Sequence, residues 1–210
     1  MVNILVANPK GGSGKTTLAT NLAGYFAKTG ESVTLRDLDR QQSATRWLER
    51  RPKLLPQIHS QPLKSKSHDS KSDWLITDSP AGLREEKLSD AVKEADCVIV
   101  PIQPSAFDIG ATNSFLKILI EEKAIRKNKT FVALVGMRVN SRTLSAISLA
   151  KFMAESDFEV LTYLRNAQAY VSAAEQGLSI FDMHKSVVES HLDQWKPLLD
   201  WTKSISAQNK

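Results

Sequence analysis

Ten consecutive residues hold the groups best suited to chemistry: Asn8-Pro9-Lys10-Gly11-Gly12-Ser13-Gly14-Lys15-Thr16-Thr17. The glycines free the backbone to turn its N–H groups inward against an anion. The lysines bring positive charge, and the threonine hydroxyls suit a hydrated cation. A short apolar run, Ile4 to Ala7, precedes the loop, and Leu18, Leu22 and Phe26 follow it at helical spacing. The order is therefore strand, glycine-rich loop, helix start. A helix start adds unpaired N–H donors and the positive end of its dipole. These are the parts of a phosphate cradle. Gly11, Gly12, Ser13, Gly14 and Thr17 would surround the anion, Lys15 would reach its outer oxygens, and the Thr16 hydroxyl would meet Mg²⁺.

Acids follow in a matching order. Val33-Thr34-Leu35 reads as a strand that delivers Asp37 and Asp39 to its C-terminal end, where open α/β sheets bind ligands. Leu38 separates the two carboxylates, so they share one side of an extended chain. Beside a phosphate cradle they suit Mg²⁺ and water positioning; a solvated acidic turn is the plainer reading of the same pair. Trp74 to Asp78 is an apolar strand ending in an acid, which brings Asp78 beside the loop as a metal ligand, directly or through water. The turn Ser79-Pro80-Ala81-Gly82 suits a sensor of a terminal phosphate.

The elements that must hold these groups can be read from periodicity. The first helix is expected from Gly14 or Lys15 to about Lys28, with a stop at Gly30. Further helices are expected over 42–49, 83–95, 144–155 and 186–206. Another, capped by Asp108, carries Phe115, Leu116, Leu119 and Ile120. Strands are expected over 97–102, 131–135 and, at an edge, 160–164. Residues 50–72, with Arg50, Arg51, Lys53, Lys64, Lys66 and Lys71, read as a variable basic surface loop holding one short strand near Ile58. The alternation of strand and helix argues a mostly parallel twisted sheet with helices on both faces.

Composition sets the bounds. The chain has 210 residues, 41% of them hydrophobic, enough for a single α/β domain spanning 1–210. Cys97, the one cysteine, lies in the run Cys97-Val98-Ile99-Val100 and reads as a buried thiol. No signal peptide or bilayer-spanning run is read, so a cytoplasmic location is expected. The net charge of +5 suits nucleic acid or an anionic membrane surface.

The loop departs from G-x-x-x-x-G-K-[ST] at its first position, where Pro9 stands. A second lysine, Lys10, precedes the paired glycines instead. K-G-G-x-G-K-T-T resembles the deviant Walker A motif of the ParA/MinD family of ATPases. Asp37-Leu38-Asp39-Arg40-Gln41 is similar to that family's D-x-D-P-Q, with Arg40 in place of proline. Asp78 to Gly82 resembles its switch II, and Gln103-Pro104-Ser105-Ala106-Phe107-Asp108 a further family segment. Arg165 to Ile180 resembles its late segment, so the resemblance spans Val2 to about Ile180.

The resemblance implies a P-loop NTPase fold, ATP/ADP and Mg²⁺, and a weak, partner-stimulated ATPase. Lys10, Lys15 and Asp39 would be catalytic, with Lys10 reaching across a dimer interface and Asp39 orienting the attacking water. Thr16, Asp37 and Asp78 would form the metal shell, and Asn140 would contact adenine. A ParA-type protein of this kind forms a homodimer on ATP binding. It binds DNA non-specifically, associates with the nucleoid in the ATP state, and uses a ParB-like adaptor or activator to position a plasmid, chromosome or other cargo. A MinD-like membrane cycle would need an amphipathic C-terminal helix, against which Pro197 and Asp200 count. An iron-protein-like reductase would need more cysteines. The partition reading is the expectation, with no membrane partner.

Overall fold

The computed structural model describes residues 1–61, 72–83 and 85–208; Lys64, Lys66 and Lys71 of the basic stretch lie outside the described residues. Strand β1 (Val2–Val6) is buried along its length. Strand side chains alternate in direction, so Ile4 and Val6 enter one core while Leu5 and Ala7 enter another. Burial on both faces marks a central strand of a parallel sheet.

Seven strands form that sheet: β1, β2 (Val33–Asp37), β3 (His59–Gln61), β4 (Trp74–Asp78), β5 (Cys97–Ile102), β6 (Phe131–Val139) and β7 (Glu159–Arg165), in the order β3-β2-β4-β1-β5-β6-β7. Every pairing is parallel, so the sheet is wholly rather than mostly parallel. Helices α1 (Lys15–Lys28), α2 (Ser43–Glu49), α7 (Gln168–Glu175) and α8 (Lys185–Gln208) cover one face. Helices α3 (Glu85–Glu94), α4 (Ala106–Glu121) and α6 (Leu144–Ala154) cover the other, with the single turn α5 (Lys123–Arg126) between α4 and β6. Cys97 is fully buried in β5, where burial pushes its thiol up.

Three local expectations change. Strand β6 continues to Val139, four residues beyond the expected end. Register shifts at Leu134/Val135 and Gly136/Val139 let the strand bend, and Arg138 adopts a left-handed φ of 51°. Helix α4 is capped by Ser105, whose Oγ accepts from the Asp108 N–H. Asp108 lies in the first turn, and its carboxylate accepts from the same hydroxyl. The basic stretch is also less loop-like at its start: the Arg51 side chain and Ile58 are buried, and β3 follows directly.

On the α1 face, Phe26 stacks on Trp74 at 3.8 Å, and Phe181 meets Trp195 edge-on at 5.4 Å. Trp195 is fully buried and donates from Nε1 to the Tyr170 hydroxyl at 2.9 Å. Trp195→Ala is expected to destabilise the fold by about 3–5 kcal/mol, measured by urea unfolding. Val187→Ala, on the exposed side of the same helix, should change stability by less than about 0.5 kcal/mol.

Candidate functional site

The parallel register brings three strand ends together. Val6 of β1 pairs with Asp78 of β4, and Asp78 pairs with Asp37 of β2. The loop between β1 and α1 therefore closes over two carboxylates. Its backbone turns at Gly12 (φ 78°) and Gly14 (φ 103°), conformations that side chains rarely adopt. A Cβ on Gly14 would lie 2.8 Å from Cε of Met137, whereas Gly11 and Gly12 have open space where a Cβ would stand. The loop is thus packed behind and open in front.

The loop is held from outside itself. Asn8 is buried; it donates from Nδ2 to the Pro101 carbonyl at 2.8 Å and to Thr112 Oγ1 at 3.0 Å. Its Oδ1 accepts from the Lys10 N–H at 2.8 Å. Gln103 donates from its side-chain amide to the Gly12 carbonyl. The Gly82 N–H donates to the Pro9 carbonyl at 3.0 Å, which ties the turn after Asp78 to the loop. These bonds occupy the Pro9 and Gly12 carbonyls and the Lys10 N–H.

Lys15 is 6% exposed and donates from Nζ to the Lys10 carbonyl at 2.8 Å. Burial lowers its pKa, against the attraction of Asp78 and Asp39. Lys10 is half-buried, and its ammonium has no hydrogen bond or ion pair among the described residues. Asp78 is 1% exposed; its Oδ2 accepts from Thr16 Oγ1 at 2.7 Å, while its buried Oδ1 has no partner among the described residues. Burial pushes Asp78 up to about 7, with Asp37 and Asp39 adding repulsion and Thr16 opposing. A buried carboxylate oxygen without a donor, next to a hydroxyl, is a hard-oxygen site, so the residues fit Mg²⁺. The hydroxyls of Ser13 and Ser79 are likewise buried without a partner among the described residues.

The other two acids differ from Asp78. Asp37 Oδ1 accepts from the Asp39 N–H at 3.0 Å, and Oδ2 accepts from the Thr45 N–H at 2.9 Å and its hydroxyl at 3.3 Å. Both oxygens already hold protein donors, so Asp37 braces the β2–α2 turn instead of standing open to a metal. Asp39 is half-exposed and accepts from the Gln41 N–H through one oxygen. Its other oxygen has no such bond among the described residues, which suits a water.

A cavity of about 520 Å³ opens beside Thr17, between the ends of β6 and β7 and helix α7. Its lining includes Arg50, Arg138, Arg165, Asn166, Tyr170 and Glu175. Its place next to Thr17 fits the base and ribose of a nucleotide whose phosphates occupy the loop. Asn140 does not line it. Because β6 runs on to Val139, Asn140 falls in the following exposed turn, where its Oδ1 accepts from the Arg142 N–H at 3.3 Å. Sequence reasoning singled out none of the cavity residues except Thr17 as a ligand contact. Their signal was the polar pair Arg165-Asn166 at the end of an apolar strand.

A parallel sheet with a glycine-rich loop after its central strand and a strand-end acid beside it defines a P-loop mononucleotide-binding protein. Similarity to known proteins narrows the class. Residues 4–180 match the model of the CobQ/CobB/MinD/ParA nucleotide binding domain. The chain is 30% identical over 200 residues to "Maintenance of carboxysome distribution protein A" of Gloeobacter kilaueensis, covering 90% of this chain and 89% of that protein. It is 28% identical over 179 residues to the chromosome-partitioning ATPase Soj of Thermus thermophilus, covering 68% and 72%. Among solved structures, apo McdA of Cyanothece superposes with a TM-score of 0.76 at 16% identity, covering 98% of this chain and 99% of that one. The chain belongs to the CobQ/CobB/MinD/ParA family and is a ParA/MinD-type ATPase, with ATP/ADP and Mg²⁺ as its ligands.

Asp78 gives a test of the site. Its folded pKa lies above the unfolded value of 3.8, so below about pH 4 both states are protonated and it contributes nothing. As pH rises from about 4 to 7 the unfolded chain ionises first, and stability falls; above about 7 the loss is complete. The full shift corresponds to roughly 4 kcal/mol, from which the unpaired amide of an asparagine would subtract about 1–3 kcal/mol. Asp78→Asn is therefore expected to raise the unfolding free energy of nucleotide-free protein by about 1–3 kcal/mol at pH 8, and to lower it by about 1–3 kcal/mol at pH 4, where only the amide's cost remains. The same substitution should remove the effect of Mg²⁺ on nucleotide affinity.

Proposed function

We propose that this protein is a slow ATPase that cycles between an ADP-bound monomer and an ATP-bound sandwich dimer. The dimer binds DNA non-specifically, and the cycle positions a large cargo. The observation that carries the reading is Lys10. Its main chain is fully engaged, yet its ammonium, ahead of the paired glycines, has no partner among the described residues. A cation so placed suits the phosphates of a second subunit's nucleotide. Such a trans cation can contribute on the order of 10³–10⁵ in rate.

In each site the loop N–H groups and Lys15 would bind the β- and γ-phosphates. Thr16 and Asp78 would hold Mg²⁺, which neutralises phosphate charge when bound. Asp39 would orient the attacking water, and Asp37 would keep Asp39 in place through the turn it braces. Lys10 of the partner subunit would complete the site, so hydrolysis would follow dimerisation and release it. The relatives' names support positioning work: two are proteins of carboxysome distribution, and others are named ParA and Soj. A carboxysome-like or nucleic-acid cargo, met through a ParB-like adaptor that stimulates turnover, is the corresponding proposal.

DNA is favoured over a membrane by the use made of α8. Its apolar residues Val188, Trp195, Leu198, Leu199 and Ile205 are buried in the core, and so are not available to a bilayer. No helix among the described residues is long and apolar enough to cross a membrane. The basic residues of the second half do not form one continuous face. Lys151 and Lys185 pair with acids four residues on. Lys123 and Arg126 lie in α5, and Lys127 and Lys129 in the turn after it, at the opposite end of the sheet from the loop.

The test is binding to a random-sequence duplex with ATP, ADP or no nucleotide across a salt series. Binding with ATP alone is expected, lost in Lys10→Ala and Lys15→Ala. About six phosphate contacts would reduce affinity roughly a thousandfold between about 50 and 200 mM salt. Binding to anionic vesicles but not to DNA would replace this reading with a membrane cycle.

A further inference from the structure

Arg51 and Asp182 form an ion pair away from the phosphate loop, with side chains only 4% and 1% exposed. Arg51 donates from two nitrogens to the two carboxylate oxygens, at 2.9 and 3.3 Å. Asp182 also accepts from the Ser179 N–H at 2.8 Å and its hydroxyl at 2.7 Å, and these donors hold its carboxyl below the usual range despite burial. A buried pair of this kind is a poor source of net stability, since apolar residues of similar size serve as well. What a two-toothed guanidinium–carboxylate contact supplies is fixed geometry.

That geometry fastens one end of α2. Trp47 donates from Nε1 to the Leu178 carbonyl at 3.1 Å, and Arg50 to the Ala174 carbonyl at 3.3 Å. At Gly177 (φ 68°) the two segments pack so closely that a Cβ would stand 2.5 Å from the backbone of Arg50 and Arg51. Arg50 and the Ala174–Glu175 end of α7 also line the cavity beside Thr17. The other end of α2 is fastened to the acids: Thr45, in its first turn, donates twice to Asp37, and Asp37 accepts from the Asp39 N–H. Two turns of helix therefore join the wall of the cavity to the carboxylate next to the phosphate site.

We propose that α2 is a strut through which the base in the cavity sets the placement of Asp39, with Arg51 and Asp182 as the positioning residues that fasten it. This rests on the chain being a nucleotide hydrolase, and it adds what the cavity does for hydrolysis. A triphosphate lacking a base would fill the loop but leave the strut's far end unloaded. The expected consequence is that the base contributes to kcat and not only to affinity.

The test uses the full chain with Mg²⁺. Hydrogen exchange of amides 43–51 is compared with saturating ADP and with saturating pyrophosphate, and turnover with ATP and with inorganic tripolyphosphate. In the wild type ADP should slow exchange at α2 and pyrophosphate should not, and ATP should turn over faster than tripolyphosphate. In Arg51→Met, ADP affinity should stay within about threefold, and the ADP-dependent protection of α2 should vanish. Its kcat for ATP should fall about ten- to a hundredfold, the scale of a misplaced catalytic group, with tripolyphosphate turnover unchanged. Arg51→Lys, which keeps the charge without the fork, should be intermediate. Trp47→Phe, milder in its packing change, should weaken the protection in the same direction and serves if Arg51→Met does not fold. A folded Arg51→Met protein with wild-type kcat and wild-type protection would overturn the strut while leaving the hydrolase reading intact. A wild type that shows base-dependent protection but hydrolyses no ATP would overturn the hydrolase reading and keep the mechanical link.

Discussion

The structure depends on holding unlike charges out of water within one small space. Lys15 and Asp78 are both almost fully buried, and Thr16 donates its hydroxyl to the Asp78 carboxylate. Burial opposes charge on each, lowering the lysine's pKa and raising the acid's. An incoming polyphosphate with its cation would relieve both strains, one by giving the lysine an anion, the other by giving the carboxylate a metal. The folded chain maintains that unsatisfied state through rigidity elsewhere. β1, β4 and β2 are hydrogen-bonded in parallel register, and Asn8 anchors the loop to β5 and α4 from below.

Two carboxylates that are register partners on adjacent strands have opposite tasks. Asp37 takes donors from Asp39 and Thr45 on both oxygens and acts as a brace, whereas Asp78 keeps one oxygen free of any donor among the described residues. The difference comes from the path of the chain after each strand. Beyond β2 the chain takes a short turn into α2, whose Thr45 gives its N–H and hydroxyl back to Asp37. Beyond β4 it passes through Ser79-Pro80, where the Ser79 N–H goes to the Val6 carbonyl instead. Similar acids at similar strand ends thus differ: one is a brace, the other keeps an oxygen open to a ligand.

The sequence made the architecture legible because β1, β4, β5 and β6 are mostly apolar runs and the glycine loop and the acids fall at the C-terminal ends of β1, β2 and β4. That Lys15, Thr16 and Asp78 come together could be read for the same reason: their placement follows from local pattern and strand order. Asn140 could not be judged that way, because the bulged extension of β6 moved the strand end by four residues and pointed the candidate into a turn. Asp37 looked like Asp39 because period-two spacing reports direction and says nothing of which donors will arrive. Arg51 looked like one more cation in a basic loop. Its partner, Asp182, lies 131 residues away, and only the packing of Gly177 against the backbone of Arg50 and Arg51 brings the two together.

The most direct test of the central claim, that Lys10 works from the partner subunit, is a mixing experiment with two inactive proteins. Lys10→Ala lacks the proposed trans cation, and Asp39→Ala lacks the acid proposed to orient water in its own site. In a mixed dimer the Lys10→Ala subunit keeps its own Asp39 and receives Lys10 from its partner, so one complete site is restored. ATPase activity that is absent in each variant and returns on mixing is the predicted result. Mixtures as inactive as the separate variants, with ATP-dependent mixed dimers shown to form, would place Lys10 in its own subunit's site and contradict the account.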